Sequence, residues 1–183
     1  MVYDKIIEGK YVNLRSVLED DIEFTYDIRR DPQFHGLMGC LAVNFEAQRE
    51  YIMRQMKLEN DYYFVIENKE RERIGLIGIY DIKGKAGEEG RLVSYGSPLQ
   101  NVEAHLLLEG FCRNVLGLET IRISIYCENK KTIHSSLKAG FEMIGKDVRS
   151  GKDSVVMQIS CKEDNPRRKK YLQMIELYER YSI

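Results

Sequence analysis

Two β-rich runs sit almost back to back in the middle of the chain. DYYFVIE at 61–67 and RIGLIGIYDI at 73–82 are dense in β-branched and aromatic residues, and only the polar stretch NKERE separates them. This pattern reads as a β-hairpin. Runs of helical period stand on both sides of it, and further strand-like runs follow. The order β α α β β β α β α β β α predicts a mixed α+β layout: a central sheet of about seven strands flanked by helices.

Upstream, KYVNLRS at 10–16 alternates as a short strand. VLEDDIEFTYDIRRDP places Leu18, Ile22, Phe24, Tyr26 and Ile28 on a helix that is acidic at its start and basic at its end, closed by Asp31-Pro32. QFHGLMGCLAV is an apolar loop, and Asn44 caps a second helix over 45–59. Gly75 and Gly78 inside a strand predict a bulge or a close approach. KGKAGEEG reads as a Gly-rich turn before a strand at 90–95, and VEAHLLLEGFCRNVLG as a long helix stopping at Gly117. ETIRISIYCEN is a strand, and Asn129 caps a short helix that closes on Gly140. Two last strands surround Ser150-Gly151. Pro166 opens a final helix at 165–181 whose basic start, Arg167-Arg168-Lys169-Lys170, is expected to be a solvated face.

Lys and Arg number 28 and Asp and Glu 29, a net charge of −1. That excludes a nucleic-acid binder working through a general positive field. At 183 residues, 43 % hydrophobic, the chain can build its own core and is read as one domain spanning 1–183, with the last helix as an addition. No apolar run approaches the ~20 residues needed to span a bilayer, and MVYDKIIEGKYVNLR carries no secretory pattern, so the expected location is cytoplasmic. Cys40, Cys112, Cys127 and Cys161 lack CxxC spacing and a nearby His pair. They are expected to be reduced, mostly buried thiols, and no metal is expected.

The ordered set of segments resembles the Gcn5-related N-acetyltransferases (GNATs), in the branch holding ribosomal-protein, polyamine and amino-sugar N-acetyltransferases. GKYVNLRSVLEDDIEFTYDIRRDP resembles that branch's opening strand and helix, and YYFVIENKERERIGLIGIYDI its second and third strands. In LGLETIRISIYCENKKTIHSSLKAGFEMIGK, a strand, Asn129 and a short helix ending in Ala139-Gly140-Phe141-Glu142 carry the family's signature. The resemblance covers residues 8–160. It implies acetyl-CoA as co-substrate, held where two parallel strands, here 90–95 and 119–126, splay apart. Leu92, Val93 and Ser94 would then offer backbone groups to the pantetheine arm. Gly96, Ser97, Gln100, Asn101 and Val102 would meet the pyrophosphate at the start of the next helix. Asn129 and Ser136 would complete the coenzyme contacts. The loop before that helix departs from the family's Gln/Arg-x-x-Gly-x-Gly/Ala pattern: it is shorter, and Pro98 lacks an N–H. A shortened loop followed by a Glu such as Glu103 is similar to that of acetyltransferases acting on nucleotide-activated amino sugars.

Amine acetylation needs a proton acceptor for the ammonium and a donor for the leaving thiolate. Glu88 and Glu89 lie just before the coenzyme strand, and at most one of them faces the cleft; Glu89 is taken as the base. Ser136 stands where related enzymes carry a Tyr acid, and Tyr126 is a second polar group near the splay. Arg29, His35 and Tyr95 are candidates to bind the acceptor. Direct attack on the thioester is expected, since no Cys stands in a motif suited to hold an acetyl group. The acceptor is left open among a nucleotide-linked amino sugar, a polyamine and a protein N-terminus. A non-catalytic binding module on the same fold is the reading from another class. A homodimer is a further expectation.

Overall fold

The expected hairpin is the centre of an eight-stranded sheet. The computed structural model describes residues 1–34 and 41–181. The strands are β1 (Ile7–Glu8), β2 (Val12–Ser16), β3 (Tyr62–Asn68), β4 (Arg73–Lys83), β5 (Ala86–Ser94), β6 (Thr120–Tyr126), β7 (Glu142–Arg149) and β8 (Lys152–Ser160). They lie in the order β1-β2-β3-β4-β5-β6-β8-β7. Neighbours are antiparallel except β5 and β6, which run parallel. The helices are α1 (Ile22–Arg30), α2 (Phe45–Gln55), α3 (Pro98–Asn114), α4 (Lys130–Lys138) and α5 (Pro166–Tyr181). The mixed sheet with flanking helices is as expected, with the two-residue β1 added at one edge. Among the described residues no helix is long and apolar enough to cross a membrane.

Alternation in β3 and β4 feeds two cores. Phe64, Ile66, Ile77 and Ile79 point to one face and pack with Ala104, Leu108 and Phe111 of α3. Tyr63, Val65 and Leu76 point to the other and pack with Ile28 of α1 and Ile52 of α2. Phe111 is the hub of the first core: its ring meets Tyr3, Tyr62 and Phe64 edge-on at 4.9, 5.1 and 5.2 Å. Truncation there loses both transfer energy and packing. Phe111→Ala is expected to cost about 3–5 kcal/mol and to lower the melting midpoint by roughly 10 °C in a thermal scan.

The caps at Asn44 and Asn129 form as expected, each side chain accepting from a backbone N–H three residues on, at 2.9 and 3.1 Å. Gly140 has φ +94°, and a Cβ there would lie 2.5 Å from Pro166. The close approach of α5's first residue to the end of α4 therefore requires glycine. Burial pushes the Cys112 thiol well above its ordinary range, as it does Cys161, to about 11. Both are inert thiols in the core.

Three expectations change. KGKAGEEG is not a turn: only Gly84-Lys85 turn, and AGEEG opens β5, with Glu88 and Glu89 both buried. α2 ends at Gln55 rather than 59, because the chain has to turn into β3, with Asn60 at φ +58°. Arg167 is not on a solvated face; it is 2 % exposed, with counter-charges described below. His35 and Cys40 lie outside the described residues.

Candidate active site

β5 and β6 are paired for only three residues. Ala86, Gly87 and Glu88 face Thr120, Ile121 and Arg122; beyond that point the two strands are no longer partners. Each keeps its outer neighbour: β5 stays on β4 as far as Ser94, and β6 stays on β8 as far as Tyr126. The result is a fork. Its inner edges, Glu89–Ser94 and Ile123–Tyr126, present backbone groups with no strand between them. Such groups require partners, and an extended arm bearing amides supplies them.

β5 carries a bulge inside the fork. Leu76 faces Val93 while Gly78 faces Gly90, so Arg91 and Leu92 together oppose one residue of β4. Arg91 has φ +57°. The cost of that conformation is offset by its side chain: Asp61 accepts two bonds from the guanidinium at 2.5 and 2.7 Å, and the group lies 4.3 Å from the Tyr80 ring. The bulge re-aims the strand at the point where the fork opens.

The adjacent carboxylates split to opposite faces, as the alternation requires. Glu88 faces the side of α1 and α2. It accepts two bonds from Arg149 at 2.8 and 2.7 Å and one from the Tyr80 hydroxyl at 3.1 Å. Burial, and next the Glu88 carboxylate, push the Tyr80 hydroxyl above its usual range. Glu89 faces α3. Its oxygens meet Arg167 at 2.8 Å and His105 Nδ1 at 2.7 Å. Burial favours its neutral form, yet Arg167 and His105 outweigh that and hold the carboxyl down to about 2. This corrects the expectation for Glu89: a buried carboxylate gripped by the Arg167 guanidinium and hydrogen-bonded to His105 is a poor proton acceptor at neutral pH.

At the other end of the fork, Ser97 caps α3. Its Oγ accepts from the Gln100 N–H at 3.3 Å, and the Gln100 side chain accepts from the Ser97 N–H at 2.9 Å. This reciprocal box uses donors that the phosphate cradle was expected to offer. An anion binding there would have to part Ser97 from Gln100. Gly96 donates to Ser94 Oγ at 2.9 Å and accepts from Asn101 Nδ2 at 3.0 Å. Beside this corner lies a cavity of about 300 Å³ lined in part by Tyr11, Lys69, Ser97 and Gln100. A larger one, about 510 Å³, lies between the N-terminal segment, α3 and α5, away from the fork.

The remaining expected residues fall as follows. Leu92 is half-buried toward the α3 core, and Val93 is buried in the α1/α2 core, so only its backbone is available to the fork. Val102 is buried on α3. Tyr126 ends β6, with the Lys152 ammonium 5.3 Å from its ring centre. Ser136 is the buried residue of α4, not a helix-surface serine. Asn129 is occupied as a helix cap. Tyr95 donates to Asp31 at 2.7 Å and packs on Phe34; burial, then the Asp31 carboxylate, push its hydroxyl up to about 12. Arg29 lies beside Tyr63, whose hydroxyl burial pushes up to about 12 against the pull of that guanidinium. The sequence reading missed Tyr80, Arg91, Ser124, Arg149 and the buried state of Arg167. Ser124 Oγ, on β6 within the fork, and Asn101 Oδ1, at the α3 corner, are buried and have no hydrogen-bond partner among the described residues. Orphaned atoms at both ends of an open groove fit a polar ligand lying along it.

Residues 12–142 match the acetyltransferase (GNAT) domain family. No curated protein matches the chain in sequence. The fold is similar to that of a GCN5-related N-acetyltransferase from Brucella melitensis, with TM-score 0.76, 17 % identity, and 93 % of this chain and 85 % of that one covered. It is similar to apo FdhC, a nucleotide-linked sugar GNAT, with TM-score 0.75, 22 % identity, and coverage of 98 % and 99 %. It is also similar to a chimera of the spermidine N-acetyltransferase SpeG from Vibrio cholerae and hSSAT, with TM-score 0.71, 19 % identity, and coverage of 89 % and 99 %. With the family's domain spanning most of the chain and the fork in place, this protein belongs to the GNAT family and is an N-acetyltransferase.

Proposed function

We propose that the chain transfers an acetyl group from acetyl-CoA to the primary amine of a nucleotide-activated amino sugar. The observation that carries acetyl-CoA use is the fork: three paired residues, then two diverging strands with free inner edges. Acetyl-CoA, when bound, supplies the thioester. The chain's own groups bind and orient it: the backbone of Leu92, Val93 and Ser94 along the arm, and Gly96, Ser97, Gln100, Asn101 and Val102 at the phosphate end. Asn129 and Ser136 act from α4. Ser136 is the candidate hydrogen-bond donor to the departing sulfur, and Tyr126 a polar group near the splay that can hydrogen-bond the substrate. The ammonium proton passes to solvent, since arginines already hold both Glu88 and Glu89.

Two carboxylates of the α1/α2 face are closed to a polyamine. Asp61 is matched by Arg91 and Glu88 by Arg149, each through two hydrogen bonds. A polycation needs surplus carboxylate, and these two are already neutralised. Arg29 suits a phosphate group and the Tyr95–Phe34 pair a ring, with the Asp31 and Asp27 carboxylates beside Tyr95. The likeness to a nucleotide-linked sugar GNAT covers 98 % of this chain and 99 % of that one.

Free-thiol release from acetyl-CoA tests the reading. Release is expected with a nucleoside-diphosphate amino sugar at a kcat/KM at least about tenfold above that with spermidine, a gap of ~1.4 kcal/mol in transition-state binding. Spermidine as the better acceptor would overturn the sugar assignment while leaving the acetyltransferase in place.

A further inference from the structure

The two halves of the sheet meet along a very short seam. One half is β1–β5; the other is β6, β8 and β7. Within the sheet three parallel residue pairs join them, with the Glu119 and Thr120 N–H groups on the Lys85 carbonyl at the closed end, and the α3 core touches both halves from one side. Parallel pairs are slightly weaker per residue than antiparallel ones, and three of them do not fix the angle between two large blocks. Yet that angle sets the width of the fork.

Two arginines span this seam, one on each face. Arg149 ends β7, in the second half, and grips Glu88 of β5, in the first, through both carboxylate oxygens. Arg167 opens α5, which follows β8. It lies 5.1 Å from the ring of Phe141, just before β7, and it grips Glu89 of β5 at 2.8 Å and Glu109 of α3 at 3.2 Å. Glu88 belongs to the last paired position and Glu89 is the first residue past it. The fork is therefore held at its branch point from both sides by the C-terminal part of the chain.

Stability alone does not account for this arrangement. A buried ion pair rarely outperforms apolar side chains of similar volume, because desolvation consumes most of the Coulomb gain. What such a pair supplies is direction and register. We propose that Arg149 and Arg167 are positioning residues for acetyl transfer: their twin clasps on Glu88 and Glu89 set the opening of the fork. On this account α5 is part of the catalytic apparatus. The inference rests on acetyl transfer at the fork. Activity of the unaltered protein tests that premise separately.

The test separates positioning from folding. In the triple variant Arg167→Met, Glu89→Gln, Glu109→Gln, no buried charge of this group is left unpaired, so the fold is expected to survive. Arg149→Gln takes one partner from the buried Glu88, which keeps the Tyr80 hydroxyl, so a lower melting midpoint is expected and kinetics are read well below it. Thermal melts establish that each variant is folded; calorimetry with CoA gives Kd; thiol release gives kcat and KM. Misplacing reacting groups by about 1 Å costs on the order of a hundredfold in rate. Folded variants are expected to bind CoA within about threefold of the unaltered protein while losing at least about tenfold in kcat, and Arg149→Lys is expected to recover part of the loss. Folded triple and Arg149→Gln variants with kcat within about twofold of the unaltered protein would overturn the proposal. If the triple variant does not fold, the Arg149→Gln and Arg149→Lys pair decides by the same criterion. If the unaltered protein releases no thiol with any amine, it is the transfer reading that fails, not the clasps.

Discussion

Arg167→Met, made alone, is expected to destabilise the chain by about 3–5 kcal/mol at neutral pH, the range found when one partner of a buried ion pair is removed. The guanidinium is 2 % exposed and meets both Glu89 and Glu109, which are 6 % and 0 % exposed. Its loss strands two carboxylates away from water, with His105 for Glu89 and Asn165 and the more distant Arg113 for Glu109 as partial partners. The penalty also carries a pH signature. In the unaltered protein Glu89 is held at about 2, below its ordinary 4.5. A folded-state value below the unfolded one means stability that is present above about pH 4.5 and lost as pH falls toward 2. In the variant, burial acts with only His105 against it, so the folded state gains by taking up a proton. The stability gap between the two proteins therefore narrows on acidification. Urea unfolding at about pH 7 and about pH 4 measures it. A gap of equal size at both would show that Glu89 is not the group Arg167 compensates.

The same carboxylate explains where sequence reading stops. Caps, turns and alternation are local, so Asn44, Asn129, Gly140 and the central hairpin are legible from a few residues each. The box formed by Ser97 and Gln100 is likewise written in a four-residue pattern, S-x-x-Q, although the expectation there was a phosphate cradle. Glu88 and Glu89 are different. In a Gly-rich acidic run they look like a solvated turn, because the arginines that permit their burial stand 61 and 78 residues further on. Arg167 is the mirror case: within a basic run it looks solvated, and only the tertiary fold brings it to Glu89. The fork itself has no local code, since nothing in β5 or β6 states how many residues will pair. It was legible only through the family resemblance.

The second large effect is expected at Glu103, in a part of the fold the chemistry does not touch. Glu103→Ala should cost about 3–5 kcal/mol in denaturant unfolding, from the loss of three charge-assisted bonds at once. The carboxylate projects from α3 into the turn between β1 and β2. It accepts from the N–H groups of Lys10, Tyr11 and Val12 at 2.7, 2.6 and 2.7 Å. Three successive backbone donors aimed at one anion form a concave nest, and an alanine leaves them without an acceptor. Glu103→Gln should fall nearer to alanine than to glutamate, because one of the two accepting oxygens becomes a donor facing a donor. Gly9 is part of the same device: a Cβ there would lie 2.7 Å from Glu103 Oε2 and 2.7 Å from the Val12 carbonyl oxygen. Gly9→Ala should therefore destabilise, and less so in the Glu103→Ala background, where one of the two clashes is gone. That sub-additivity is the measurement that ties the turn to the helix. Equal penalties in the two backgrounds would mean that the Val12 carbonyl alone confines residue 9, and that the carboxylate merely lies nearby.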